Sequence, residues 1–272
     1  MSIEYSKNKV TVPSIIKMKE RSEKIAVLTA YDYFTAEMLD ESAIDIILVG
    51  DSLGTVVAGF ENTIPVSMDM MLYHVSMVKR ATKNALIVAD MPFLSYQTSI
   101  SDAILNAGRF LKEAGAEAVK LEGGKIIAAT IEKLVGFGIP VMGHLGLTPQ
   151  SVHKFGGYKL IGKDEKTAKQ MIEEAQILEQ AGIFSLVLEK IPSLLAKKIS
   201  QSLHIPTIGI GAGKFCDGQV LVTNDMLGIF DKFHPRFVRR YAEIADTMRK
   251  AFKTYSKDVK SGKFPTEDES YK

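Results

Sequence analysis

Short, mostly apolar runs alternate along this chain with amphipathic stretches, and that alternation leaves few folds open. The runs fall at residues 25–29, 44–49, 85–89, 118–121, 139–142, 186–188 and 206–210, with a weaker one at 220–223. A strand with one wet face alternates apolar and polar side chains. Near-continuous apolar runs instead predict strands covered on both faces, as in a parallel sheet flanked by helices. Helical spacing appears between several of them. Ala103, Ile104, Ala107, Phe110, Leu111 and Ala114 share one face, and Gly115 stands where a helix closes on a left-handed residue. Ala168, Met171, Ile172, Ala175, Leu178 and Ala181 do the same ahead of Gly182. Ser67 predicts an N-cap for a helix through Met71, Tyr73, His74 and Met77. Pro192 predicts the first turn of a helix through Leu194, Leu195 and Ile199.

Eight such strand–helix units predict a (β/α)8 TIM barrel, with an open doubly wound sheet as the alternative. Residues 211–219 are too few for a full helix, so the seventh unit is abbreviated. Residues 114–122 align without gaps on residues 181–189, a separation of about two βα units. Ile139-Pro140 and Ile205-Pro206 echo one another at nearly the same offset, as a repeating architecture would. No Gly/Ser-rich linker interrupts the chain, which predicts one domain over residues 1–272 with a polar surface arm at about 257–272. Residues 1–10 read similarly. Residues 51–66 form a long irregular segment of the kind that often carries function.

Composition excludes several classes. The 272 residues are 46% hydrophobic, enough for a large core, and 34 basic against 32 acidic side chains leave a net charge of +2. A dedicated nucleic-acid binder normally carries a marked basic excess. The single cysteine, Cys216, cannot form an internal disulfide, and no apolar run nears the ~20 residues that cross a bilayer. The first residues lack the basic start and apolar run of a signal peptide. The expectation is a cytoplasmic protein with small-molecule substrates, no nucleic acid and no membrane.

Chemistry concentrates at the strand ends. Five consecutive strands run into Asp51, Asp90, Glu122, His144 and Glu189. In a barrel these C-terminal ends share one mouth, where active sites are built. Lys120 and Glu122 are two apart and therefore face the same side. Asp51, Asp90 and Glu122 would converge there, and three clustered carboxylates call for a cation. Oxygen ligands select a hard divalent ion such as Mg2+. Glu189, two strands round from Glu122, suits a further ligand, a general base or an ion pair with Lys190. His144 suits a metal, a substrate or a structural hydrogen bond. Gly209-Ile-Gly-Ala-Gly213 follows a strand and suits either a phosphate or a tight turn. His74, His153, His204 and His234 show no paired ligand spacing.

One motif competes. Gly50-Asp-Ser-Leu-Gly54 matches a nucleophile-elbow pattern and the Gly-Asp-Ser-Leu signature of an ester hydrolase, with Asp231 and His234 as potential partners of Ser52. That reading leaves Asp90, Lys120, Glu122 and Glu189 without a role.

Seven segments, in order, resemble the ketopantoate hydroxymethyltransferase family: Thr29-Ala-Tyr-Asp32, Leu48-Val-Gly-Asp-Ser-Leu-Gly54, Ala89-Asp-Met-Pro-Phe93, Val119-Lys-Leu-Glu-Gly-Gly124, Gly143-His-Leu-Gly-Leu-Thr-Pro-Gln-Ser151, Phe155-Gly-Gly-Tyr-Lys159 and Ile208-Gly-Ile-Gly-Ala-Gly213. The resemblance spans roughly residues 12–255. It implies a barrel of the phosphoenolpyruvate/pyruvate type. It also implies transfer of a hydroxymethyl group from 5,10-methylenetetrahydrofolate to 3-methyl-2-oxobutanoate, giving 2-dehydropantoate for pantothenate and coenzyme A synthesis. Carried over by position, Asp51, Asp90 and Glu122 would form the site of one Mg2+ per subunit, some contacts running through water. Asp51, Ser52, Asp90 and Lys120 would contact the 2-oxo acid, and Glu189 would be the base. The family's habit implies a homodecamer. The segments Gly59-Phe-Glu-Asn62 and Lys214-Phe-Cys216 depart from the family pattern, which bears on the folate loops more than on the reaction.

Overall fold

The computed structural model describes residues 9–157, 159–230 and 234–271. Eight parallel strands close into a barrel in sequence order: β1 (Ile25–Thr29), β2 (Ile46–Val49), β3 (Leu86–Asp90), β4 (Ala118–Glu122), β5 (Val141–Gly146), β6 (Ser185–Glu189), β7 (Thr207–Ile210) and β8 (Gly218–Leu221). Pairing of β8 with β1, Val220 beside Val27, completes the ring. The open-sheet alternative is thereby excluded. The eighth strand begins two residues earlier than the apolar run suggests, at Gly218, which packs too closely on Ile25 and Ile208 to carry a side chain and so leaves no apolar mark in the sequence. β5 runs on past its apolar run: Gly143 and His144 pair with both β4 and β6, and Gly146 with β6, although these residues break the hydrophobic pattern.

Helices α1 (Val12–Glu20), α2 (Tyr33–Glu41), α3 (Leu53–Val56), α4 (Met68–Ala81), α5 (Ile100–Arg109), α6 (Ala128–Gly136), α7 (Val152–Phe155), α8 (Glu165–Gln180) and α9 (Ser193–Ser202) fill the spaces between the strands, apart from α1, which precedes them. Ser67 caps α4 by accepting the Met70 N–H. α5 continues through one π turn, Phe110–Ala114, and stops at Gly115 with φ +80°. Pro192 stands one position outside α9, as its N-cap. Residues between β7 and β8 make a tight connection with no helix, as their number required.

The period of two in each strand divides the core. Val27, Ile46, Leu48, Leu86, Val88, Ala118, Met142, Val187, Ile208 and Val220 pack inside the barrel. Their neighbours Ile47, Val49, Ile87, Ala89, Val119, Leu121, Leu186 and Leu188 face the helices. α1 belongs to the inner cluster: Ile15 is fully buried there, with Val12 and Ile16 packed against it. Thr11 and Ser14 cap this helix reciprocally. Asp40, at the end of α2, ties down the approach to β3 by accepting the N–H groups of Lys83, Asn84 and Ala85.

The chain divides into two compact units, the first ending at Leu221, where the barrel closes, and the second beginning at Val222. The second holds α10 (Thr223–Met226) and α11 (Ile244–Lys260). The polar arm foreseen from residue 257 therefore starts inside a helix. No helix among the described residues is long and apolar enough to cross a membrane.

Ile15→Ala should cost about 2–5 kcal/mol of stability in urea unfolding, the range for emptying a buried aliphatic site. A loss below about 0.5 kcal/mol would show that α1 is not part of the barrel core. Burial pushes the Asp40 carboxyl up, but the three backbone donors outweigh it and hold the pKa below its ordinary value. A depressed carboxyl stabilises the fold above about pH 4 and loses that contribution as pH falls. Asp40→Asn should therefore be less stable at neutral pH and lose less stability than the parent below about pH 4.

Candidate active site

Strand alternation aims Asp90 of β3, Lys120 and Glu122 of β4, His144 of β5 and Glu189 of β6 toward the same interior. Register keeps them level: Asp90 pairs with Lys120, Glu122 with His144, and Gly146 with Glu189. Asp51 and Ser52 arrive from the turn after β2. The Asp51 N–H donates to Asp90 Oδ2 at 3.1 Å, closing that turn onto β3. Gly50 makes this possible, since a Cβ there would lie 2.7 Å from Ser52 Oγ and 3.3 Å from Asp90 Oδ2. Asp51, Asp90, Lys120, Glu122 and His144 are all buried, and Glu189 is half-buried at the rim.

Lys120 is the charge centre. Its Nζ lies 3.1 Å from Asp90 Oδ1 and 3.2 Å from His144 Nδ1. Burial alone would lower its pKa, but Asp90, Glu122 and Asp51 more than reverse this, so the ammonium stays charged. Asp51 is pushed well above the usual carboxylate range, first by burial and then by repulsion from Asp90 and Glu122. Asp90 is raised by burial and by Glu122, against the pull of Lys120. His144 sits 3.5 Å from Glu122 Oε1 and 3.3 Å from Glu189 Oε2. Burial and Lys120 disfavour its protonation, but the facing carboxylates of Glu122 and Glu189 leave its pKa raised overall. When Lys120 donates to Nδ1, the neutral ring carries its proton on Nε2, facing Glu189.

Two residues at the centre of the site had no signal of their own in the sequence. The Gln150 side chain donates to Asp51 Oδ2 at 2.8 Å and to the Met91 carbonyl at 2.9 Å, while its backbone N–H donates to Glu122 Oε2 at 3.0 Å. The Tyr96 hydroxyl accepts the Glu122 N–H at 3.1 Å and lies 3.0 Å from Gln150 Oε1. Gln150 lies within the Gly143–Ser151 block, the one trace of it available beforehand. Neither side chain titrates near neutrality, so a search for acids, bases and ligands passes them over.

The acids are not equivalent toward a cation. Asp90 Oδ1 is buried without a well-directed hydrogen bond, and Asp51 and Asp90 both resist ionising side by side. A hard cation answers both conditions. Glu122 has one oxygen on the Gln150 N–H and the other facing His144. Among the described residues no three His, Cys, Asp or Glu surround one point closely enough to hold a metal ion. The arrangement fits Mg2+ held by two carboxylates, its usual protein share, rather than a direct three-carboxylate cage.

The hydrolase pattern is not realised. Ser52 Oγ lies 2.8 Å from the Tyr31 hydroxyl, and Ser52 has φ −53°, not the strained turn of a nucleophile elbow. His234 Nε2 is engaged by the Val238 carbonyl of its own unit, and Asp231 lies outside the described residues, as does Tyr158 of the Phe155–Lys159 segment. Gly213 accommodates a close approach to Ser193, and its carbonyl accepts from Gln219, which accounts for that glycine as packing.

A closed parallel barrel with buried acids, a lysine and a histidine at its mouth defines an α/β-barrel enzyme. Solved structures of the same shape include phosphonopyruvate hydrolase, 10% identical with a TM-score of 0.64 over 97% of this chain and 92% of that one. Another is 2,3-dimethylmalate lyase of the PEP mutase/isocitrate lyase superfamily, 15% identical with a TM-score of 0.62 over 91% and 88%. Residues 9–267 match the family described as ketopantoate hydroxymethyltransferase. A 3-methyl-2-oxobutanoate hydroxymethyltransferase of Syntrophus aciditrophicus (strain SB) is 55% identical over 100% of both chains. One from Clostridium botulinum (strain 657 / Type Ba4) is 57% identical over 96% of this chain and 95% of that one. The chain belongs to the ketopantoate hydroxymethyltransferase family.

Lys120→Met should destabilise the protein by about 3–5 kcal/mol, because it strands buried carboxylates without their cation. Adding Asp90→Asn should recover part of that loss. Equal stability of Lys120→Met and the parent would contradict this charge balance.

Proposed function

We propose that the barrel mouth transfers a hydroxymethyl group from 5,10-methylenetetrahydrofolate to 3-methyl-2-oxobutanoate, giving 2-dehydropantoate. Family membership supports the reaction class. The observation that carries the mechanism is Glu189, a half-buried carboxylate set against His144 on the same interior as the fixed ammonium of Lys120. Asp51 and Asp90 would hold Mg2+, with Glu122 acting through water because its own oxygens are engaged. When bound, the ion withdraws electrons from the oxo acid's carbonyl and acidifies the adjoining C–H.

The chain's own groups do the rest. Ser52 and Asp90 orient the oxo acid. Glu189 accepts the proton from C3, and His144 steadies its carboxylate. Lys120 supplies positive charge where negative charge develops on the carbonyl oxygen. The C3 carbon forms a bond to the folate's methylene carbon as that carbon's bond to N10 breaks. Water then displaces N5, leaving the hydroxymethyl group on C3 and releasing tetrahydrofolate, whose nitrogens take up the protons given up by C3 and by water. Gln150 keeps Asp51 and Glu122 from collapsing onto Lys120. The working form in this proposal is a homo-oligomer, a decamer as in the family; the exposed apolar stripe Met248, Phe252, Tyr255 and Val259 along α11 is a face that a partner copy would cover.

With Mg2+ and both substrates, the purified protein should form 2-dehydropantoate, and chelation should abolish turnover. Glu189→Gln should lower kcat by roughly 100-fold or more while the oxo acid KM moves little. Parent-like turnover by Glu189→Gln, measured by product formation, would remove Glu189 from the reaction.

A further inference from the structure

A small oxo acid and a carrier-held one-carbon unit need adjoining seats, and the acid cluster accounts for only the smaller. We propose that the reduced folate docks in a second cavity beside it, where the Glu174 carboxylate receives the amino and N3–H donors of the pterin. This rests on the function proposed above and adds its second binding site. The cavity has a volume of about 470 Å3 and lies where the loops after β3, β4 and β5 meet the N-terminal half of α8. That is within the usual range for a small-molecule site. Glu122 and Gln150 line it as well as the acid site, so the two spaces share a wall.

The walls divide by chemistry. Phe93, Ile126 and Phe155 offer apolar surface to a flat ring. Glu174 is the carboxylate on the α8 side. Its Oε1 accepts from Gln170 Nε2 at 3.2 Å, and Oε2 takes no hydrogen bond among the described residues. The carboxylate lies directly over Gly124, where any Cβ would overlap it. Gly124 is thus the opening that lets an α8 acid reach the end of β4. An aminopyrimidinone edge presents two parallel N–H donors, the match for a carboxylate with acceptor capacity on both oxygens. Lys154 lines the same cavity from α7, exposed to solvent, and offers positive charge to the carboxylates of the folate's glutamate tail. Neither Glu174 nor Lys154 touches the acid cluster, so nothing in the oxo acid chemistry requires them.

The test uses the full-length enzyme with Mg2+. Glu174→Gln keeps the size but replaces one acceptor oxygen by a donor. It should raise the KM for 5,10-methylenetetrahydrofolate roughly tenfold or more, leaving the KM for 3-methyl-2-oxobutanoate and its folate-independent C3 proton exchange in D2O unchanged. Gly124→Ala should shift the folate KM in the same direction. Lys154→Ala should raise it only about two- to fivefold, as expected for an exposed charge. An unchanged folate KM in both Glu174→Gln and Gly124→Ala would overturn the proposal. Calorimetry with tetrahydrofolate, and with guanosine monophosphate as a control bearing the same donor edge, reads binding without turnover. Loss of tetrahydrofolate binding in Glu174→Gln supports the seat even if the parent makes no product, an outcome that would sink the parent reaction instead. Equal binding of the two ligands would show an edge-reading pocket not shaped for folate.

Discussion

One buried ammonium governs the mouth of this barrel. Lys120 sits 3.1 Å from Asp90, and three nearby carboxylates raise its pKa against the cost of its burial. Charges at such depth persist only in balanced sets. The acids need Lys120, yet one cation does not match three acids, and the strain shows as upward shifts at Asp51 and Asp90. A site left in that state is poised for further positive charge, whether a metal ion or charge relocated as a substrate reacts.

The surrounding polar network limits how the acids can respond. Gln150 spends its donors on Asp51, Met91 and Glu122, and Tyr96 braces both Gln150 and Glu122. His144 spans Glu122 and Glu189 and so links the charge cluster to the rim. The opposite end of the barrel is packed differently. There α1 inserts Ile15 among inward-facing aliphatic side chains, and Asp40 gathers backbone donors ahead of β3.

Much of this was legible from residue order, because period two and strand ends are local properties. Those two facts alone put Asp90, Lys120, Glu122 and Glu189 into one space. The missing helix between β7 and β8 was also readable, since residues 211–219 are too few for one, whereas β8 itself was a weaker run and lies two residues earlier than that run suggested. The missed features are products of tertiary structure. Gln150 matters through what it bridges, and a glutamine between Pro149 and Ser151 carries no mark of that. Whether Glu122 can grip a metal directly depends on who else holds its oxygens. α11 hid behind its polar composition, and its helix runs three residues past the point where an arm was expected to begin. The Ser52 motif misled for the complementary reason: five matching letters say nothing about backbone strain or about a histidine's other commitments.

The proposed reaction begins with removal of a proton from the carbon next to the carbonyl, with Glu189 as acceptor and Lys120 facing the developing charge. Proton NMR of 3-methyl-2-oxobutanoate in D2O, with Mg2+ and without folate, tests it most directly. The C3 proton signal should decay with the parent enzyme and persist with Glu189→Ala. Exchange at the parent rate in Glu189→Ala would contradict it.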